Sequence, residues 1–184
     1  RSDDQSYPWL APAGTRRGNI DNISALGYID SEGEFKQTAV RQGSRDTLYE
    51  NRVNPLTFIP GTGLVNYGNK TTKAGSAMDR INVARLVAYI RSQVDSVAEM
   101  FLFEPNDKLT RDELKGSIEK IMNDLIAKRG LYDYLVVCDE SNNTPGRIDR
   151  SELYVDIAIE PVKAVEFIFI PVRIKNTGDI SAGL

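Results

Sequence analysis

With 184 residues, 41% hydrophobic and 27% charged, the chain has the composition of an ordinary soluble globular protein and the length of one domain, or one domain with a small satellite. A net charge of −3 gives no basic field for wholesale nucleic-acid binding, no apolar run approaches the roughly 20 residues that cross a bilayer, and the first residues lack the features of a signal peptide. The absence of histidine removes the commonest general base and metal ligand, and the single cysteine, Cys138, excludes an internal disulfide.

From the N-terminus, Tyr7-Pro8-Trp9-Leu10-Ala11-Pro12-Ala13-Gly14 is apolar but broken by two prolines, which predicts a loop or short strand anchored by the only tryptophan. Trp9 is expected to plug the core, with stacking on a ligand as the other use of such a ring. Residues 19–29 carry Ile20, Ile23, Ala25 and Leu26 at a weakly helical spacing, and residues 30–54 are polar without a clear period. Leu56-Thr57-Phe58-Ile59 and Leu64-Val65-Asn66-Tyr67 flank Pro60-Gly61-Thr62-Gly63, which predicts a hairpin.

Two helices follow. Ser76 and Asp79 read as an N-cap and acidic first turn, and Val83, Val87, Ile90, Val94, Val97 and Phe101 then recur with the 3.6-residue period of one buried stripe. The segment Glu104-Pro105-Asn106-Asp107 ends this helix. Thr110 and Glu113 form a capping box for the second, whose stripe is Leu114, Ile118, Ile121 and Leu125 with Met122 and Ile126 beside it. Gly130, after Lys128-Arg129, is the expected C-cap.

Three strands are predicted after the helices. Residues 131–138 include Cys138, expected to be a buried, inert thiol. Residues 153–160 alternate cleanly, with Leu153, Val155, Ile157 and Ile159 on one face. Residues 164–174 read Ala-Val-Glu-Phe-Ile-Phe-Ile-Pro-Val-Arg-Ile, apolar on both faces, with Pro171 marking an edge, a bulge or a junction. An apolar edge strand near a chain end needs its own lid or belongs partly to another subunit. These elements predict an α/β (α+β) domain: a mixed, largely antiparallel sheet flanked by two long amphipathic helices.

Few residues suggest chemistry. Gly63 to Thr71 approximates the phosphate-binding G-x-x-x-x-G-K-[ST] loop, but Asn69 intervenes before Lys70 and no helix starts there, so a plain turn is expected. Asp139, Glu140, Asn142, Asn143 and Asp149 offer oxygen ligands without EF-hand spacing, and a solvated turn is expected there, as it is for Asp30, Glu32 and Glu34. Lys108, Arg111 and Lys115 share a side of the second helix. They form either a solvated face balanced by Asp112 and Glu119 or a positive stripe that meets an acidic partner.

Four landmarks in order resemble the contractile tail sheath proteins of bacteriophages and related injection machines. They are Tyr7 to Gly14 with Arg17-Gly18; Ile81-Asn82-Val83-Ala84-Arg85-Leu86; Phe103-Glu104-Pro105-Asn106; and a final group of Asp139, Asn143-Thr144, Ile148-Asp149, Leu153-Tyr154-Val155-Asp156-Ile157, Glu160-Pro161 and Glu166-Phe167-Ile168. One stretch departs from the family, which usually has a Trp-Gly-Arg-Thr-like sequence where this chain has Tyr67-Gly68-Asn69-Lys70-Thr71.

The resemblance implies a non-enzymatic C-terminal sheath domain over residues 1–175 with a tail or arm at 176–184, cut from a longer subunit whose outer domains are absent; the start at Arg1 fits that. It implies subunits stacked helically around a tail tube, between baseplate and terminator, in the phage virion after assembly in the host cytoplasm, with no cofactor, metal, membrane or nucleic-acid partner. Strand addition between subunits would use Phe167, Phe169, Ile170, Val172 and Ile174, and the tube would be met by Lys108, Arg111 and Lys115. Residues up to Phe167-Ile168 are expected to be the domain's own strand, and the isolated chain is expected to be a monomer. Two alternatives stay open: a tail terminator or adaptor ring protein, and a carboxylate-based hydrolase built on the 139–149 loop.

Overall fold

The computed structural model describes residues 7–38 and 40–168. Its elements are α1 (Gly14–Arg17), β1 (Gly27–Ile29), β2 (Phe35–Gln37), α2 (Gln42–Glu50), β3 (Leu56–Ile59), β4 (Gly63–Asn66), α3 (Ile81–Ala98), α4 (Lys108–Ala127), β5 (Leu131–Val137), α5 (Pro145–Asp149) and β6 (Asp156–Pro161). The class is α+β as expected, but the antiparallel strands form three separate two-stranded ribbons, β1-β2, β3-β4 and β5-β6. No described helix is long and apolar enough to cross a membrane.

The core lies between the two long helices and one face of the β5-β6 ribbon. It consists of Trp9, Leu86, Ile90, Leu114, Ile118, Met122, Leu125, Leu131 and Val136, with Tyr89, Val94, Val97, Phe101, Tyr134, Leu153, Val155, Ile157 and Ile159 packed around it. The predicted stripe of α4 holds with one exchange: Leu114, Ile118 and Leu125 are buried as expected, Met122 is buried in place of half-buried Ile121, and Ile126 turns outward. Along β6, Ile157 and Ile159 alternate with exposed Asp156, Ala158 and Glu160. β5 would lose this phase between Leu131 and Tyr134, three residues apart. A bulge at Tyr132 restores it, because Leu131 opposes Pro161 and Asp133 opposes Glu160.

Both helix starts differ from expectation. α3 begins at Ile81, since the Lys70 to Arg80 bridge and the Thr71 N–H bond to the Asp79 carbonyl hold residues 71–79 as a closed loop in which Ser76 caps only a turn. α4 begins at Lys108, because the Asp107 carboxylate accepts the Thr110 N–H at 2.9 Å, placing Thr110 inside the helix. That bond holds the Asp107 carboxyl below its usual range. At the other end Arg129, not Gly130, takes the left-handed backbone, with φ +62.

Gly130 has a different task. A Cβ there would stand 3.1 Å from Trp9 Nε1 and 3.2 Å from the Leu125 carbonyl, and the indole donates to the Lys128 carbonyl at 3.2 Å. Trp9 is therefore the expected core plug, 4% exposed, stacked on Tyr7 and tilted against Tyr89. It closes the seam between the end of α4 and the start of β5.

The β3-β4 hairpin forms as predicted, with Gly61 and Gly63 at positive φ in its turn. Residues 27–37, by contrast, form a second hairpin where a weak helix and unassigned polar chain were expected. The Asp30 carboxylate accepts the Glu32 and Glu34 N–H groups and pairs with Lys36, so the acidic cluster is a turn organiser.

The expected strand over 164–174 is corrected in its described part, residues 164–168. The ladder stops at Pro161, opposite Leu131, the first residue of β5, and residues 162–168 form no strand because β6 has outrun its partner. Residues 169–174 lie outside the described part.

Trp9→Ala is expected to destabilise the fold by about 3–5 kcal/mol, from lost burial and a cavity. Gly130→Ala should cost less, because the indole has only a few tenths of an ångström to yield, and urea unfolding of both variants checks the order.

Candidate functional site

The ribbon is half a sheet. Among the described residues, β5 and β6 pair only with each other, so each has an open edge. The chain leaving β6 is tethered at three points: the Val162 N–H donates to the Gly130 carbonyl, Asn82 Nδ2 donates to the Val162 carbonyl, and Arg80 binds the Glu166 carboxylate through Nε and Nη2 at 2.5 and 3.1 Å. Val165, Phe167 and Ile168 beside that last tether are 78%, 69% and 77% exposed. Phe167 is thus an exposed apolar side chain beside the Arg80–Glu166 tether, while Phe169, Ile170, Val172 and Ile174 fall outside the described residues.

The residues around the tether include part of the stretch that approximates a phosphate-binding loop, and they serve a structural end there. Asn69 and Asn82 are buried and bond to each other through Asn69 Nδ2 and Asn82 Oδ1 at 2.9 Å. Lys70 does not reach toward a phosphate site: its Nζ donates to the Tyr49 carbonyl and lies over the Tyr49 ring. Burial and the nearby Glu166 carboxylate push the Tyr49 phenol up to about 12, so it stays protonated across the ordinary pH range. This gives Tyr67-Gly68-Asn69-Lys70-Thr71 a structural account, as a strand exit stitched to the start of α3.

The basic residues of α4 do not form one solvated stripe. Lys108 is exposed and Lys115 half-buried, facing Glu119 at 4.0 Å, whereas Arg111 is only 6% exposed and donates to the carbonyl and Oδ1 of Asn106. A shallow recess joins Lys108, Arg111 and Asp112 to the chain from Cys138 to Ser141. Burial pushes the Cys138 thiol up, which keeps it in the inert form.

The 139–149 loop is a latch built on two buried asparagines. Asn142 Nδ2 donates to the Val137 carbonyl and to Asp156 Oδ2, and its Oδ1 accepts the Asp139 N–H. Asn143 Nδ2 donates to the Asp139 and Tyr154 carbonyls while its Oδ1 accepts the Tyr154 N–H at 2.7 Å. The Asp139 carboxylate accepts from the Ser141 hydroxyl and N–H, which hold it below its usual range. Among the described residues no three acidic or thiol side chains gather as a metal site would require.

A profile of the phage tail sheath C-terminal domain matches residues 73–175, the stretch that carries the long helices, the ribbon and the tether. The chain belongs to this family. It is 39% identical over 168 residues to the tail sheath protein of Vibrio phage KVP40 and 37% identical over 169 residues to that of Enterobacteria phage T4. Each match covers 91% of this chain but 24% of the relative, so the chain spans about a quarter of their length. Its fold is also similar to a chain of the anti-feeding prophage helical sheath in the contracted state, with TM-score 0.72, 20% identity, and coverage of 90% of this chain and 45% of that one.

The sheath-domain landmarks coincide with the bonds described above. Asn82, in the second landmark, is the buried residue that holds Val162; Asn106, in the third, donates to the Glu152 carbonyl and so ties the α3-α4 corner to the latch. Sequence reading had treated Asn142 and Asn143 as turn residues. Their signal was the Asp-x-x-Asn-Asn spacing, which suits side-chain bonds back to the loop's own backbone.

Asn143→Ala should cost about 2–4 kcal/mol, since buried backbone groups of Asp139 and Tyr154 lose partners. Asn143→Asp should be at least as harmful, because a carboxylate would face those two carbonyls, and chemical denaturation of both variants distinguishes this latch from a replaceable surface turn.

Proposed function

We propose that this chain is the sheath-forming domain of a contractile tail sheath subunit, with a structural rather than catalytic role. The observation that carries the reading is the two-stranded β5-β6 ribbon, buried on one face yet, among the described residues, open at both edges, with exposed Val165, Phe167 and Ile168 in the segment that follows it. Membership of the sheath family supports it. A strand from a neighbouring copy adds to an open edge through main-chain hydrogen bonds, with register set by alternating side chains. Such a contact is heterologous, and when its rotation does not close it generates a helical array.

In this reading Phe167, Phe169, Ile170, Val172 and Ile174 form the added strand, residues 176–184 continue as the tail, and the neighbours are other sheath subunits. Contraction of the array around the tail tube drives the tube through the host envelope. The exposed amino end of α4 meets the tube: Lys108 and Lys115 supply charge, and buried Arg111 props the corner from which they project. Baseplate and terminator bound the sheath at its two ends, and the subunit resides in the virion tail after assembly in the host cytoplasm.

Deletion of residues 167–184 from the full-length protein should abolish sheath-like tubes in electron micrographs while leaving a folded subunit; tubes formed by that deletion would exclude strand addition through this end. Lys108→Glu combined with Lys115→Glu should weaken assembly onto purified tubes, most visibly at low salt, without preventing sheath–sheath polymerisation. Unchanged tube binding across a salt series would remove α4 from the tube contact.

A further inference from the structure

We infer that the Arg80–Glu166 ion pair is a positioning clamp, which fixes where and in which orientation the C-terminal segment leaves the domain and so decides which side chains it offers to a neighbouring copy. The assembly half of this inference rests on the sheath reading above; the clamp itself is read from geometry.

Past Pro161 the chain has no ladder to define its direction. Val162 is pinned by its own N–H and carbonyl, and the next attachment is Glu166. From Val162 to Phe167 burial alternates, with Ala164 and Glu166 half-buried and Lys163, Val165 and Phe167 exposed, until Ile168, also exposed, ends the pattern. The segment is therefore extended with a two-residue period, in which a slip of one residue would exchange its two faces. Clamping Glu166 inward fixes that parity and turns Phe167 outward.

The receiving side suits the task. Arg80 stands at the residue before α3, where Ile81 N–H bonds to the Asn69 carbonyl and residue 80 bridges Lys70, so the guanidinium projects from a rigid base. Asp79 holds its Nη1 at 2.9 Å, leaving Nε and Nη2 to take the carboxylate in a two-pronged grip. Such a grip constrains orientation as well as distance, which lysine cannot do. The pair is partly exposed, 29% and 17% by side chain, so it adds little to global stability and its removal leaves the core intact.

Glu166→Gln, Arg80→Met and the exchanged pair Arg80→Glu with Glu166→Arg separate this role from ordinary stabilisation. In the 184-residue chain, backbone order parameters from nuclear magnetic resonance at Val165–Phe167 should fall from about 0.85 to below about 0.6 in Arg80→Met, with α3 and α4 unchanged. In the full-length protein, Arg80→Met and Glu166→Gln should lower the yield of sheath-like tubes by about tenfold, and the exchanged pair should recover part of it. Unchanged order parameters would overturn the clamp whatever the protein assembles into. Loosened order parameters with normal tube yield would overturn its part in assembly. Normal tubes from the 167–184 deletion would overturn the strand-addition reading and with it that part. Tubes from the point variants alone, while the deletion fails, would leave strand addition standing and remove only the clamp's part in assembly.

Discussion

The buried stripe of α4 is the constraint on which the rest depends, because a two-stranded ribbon has too little surface to hold itself together in water. Leu114, Ile118, Met122 and Leu125 are nearly or wholly buried, and each such side chain is worth about 1.5–3 kcal/mol on leaving water. Together that approaches the whole net stability of a domain, about 5–15 kcal/mol. The stripe therefore decides whether β5 and β6 exist at all, and Trp9 and Gly130 set where β5 starts. Position and stability come from one contact surface.

Polar interactions then fix what burial leaves free. The Asn142 and Asn143 amides hold the β5-β6 connection, and the Asn69–Asn82 pair ties the β4 exit to α3. These amides are buried and bonded on both their donor and acceptor sides, so they specify geometry at little net gain. The surface ion pairs belong to another class, screened and weak, and count for orientation more than for stability.

What could be read from the sequence was what local chemistry alone decides. The stripes of α3 and α4, the β3-β4 hairpin, the alternation of β6 and the burial of Trp9 all follow from spacing and residue type, whereas the landmark order speaks only through resemblance to a known family. The α3 start differs because tertiary bonds, Thr71 to Asp79 and Lys70 to Arg80, hold the chain before it in a loop that propensity does not reveal, and the α4 start differs because Asp107, not Thr110, supplies the cap. The β1-β2 hairpin was missed because Tyr28, Ile29 and Phe35 are all exposed, so no one-sided alternation advertises it. Around the tether, Arg80 and Glu166 lie 86 residues apart and carry no local signal of their meeting.

The strand predicted over 164–174 shows most clearly how sequence and isolated fold differ. Its composition is that of a strand, yet a strand needs an edge, and among the described residues the partner of β6 begins at Leu131, opposite Pro161. Apolar side chains left without a ladder are a hazard for uncontrolled pairing unless charge restrains it. The ribbon's outward face carries Asp133, Asp156 and Glu160, so two such ribbons repel when laid face to face. The run after residue 168 has Arg173 and Lys175 behind its apolar core. Within the sheath reading, an acidic ribbon with open edges accepts a strand flanked by basic residues and resists stacking on its own kind. On the proposed reading, the same incompleteness that leaves residues 162–168 without a ladder in one chain would give a polymer its specific joint.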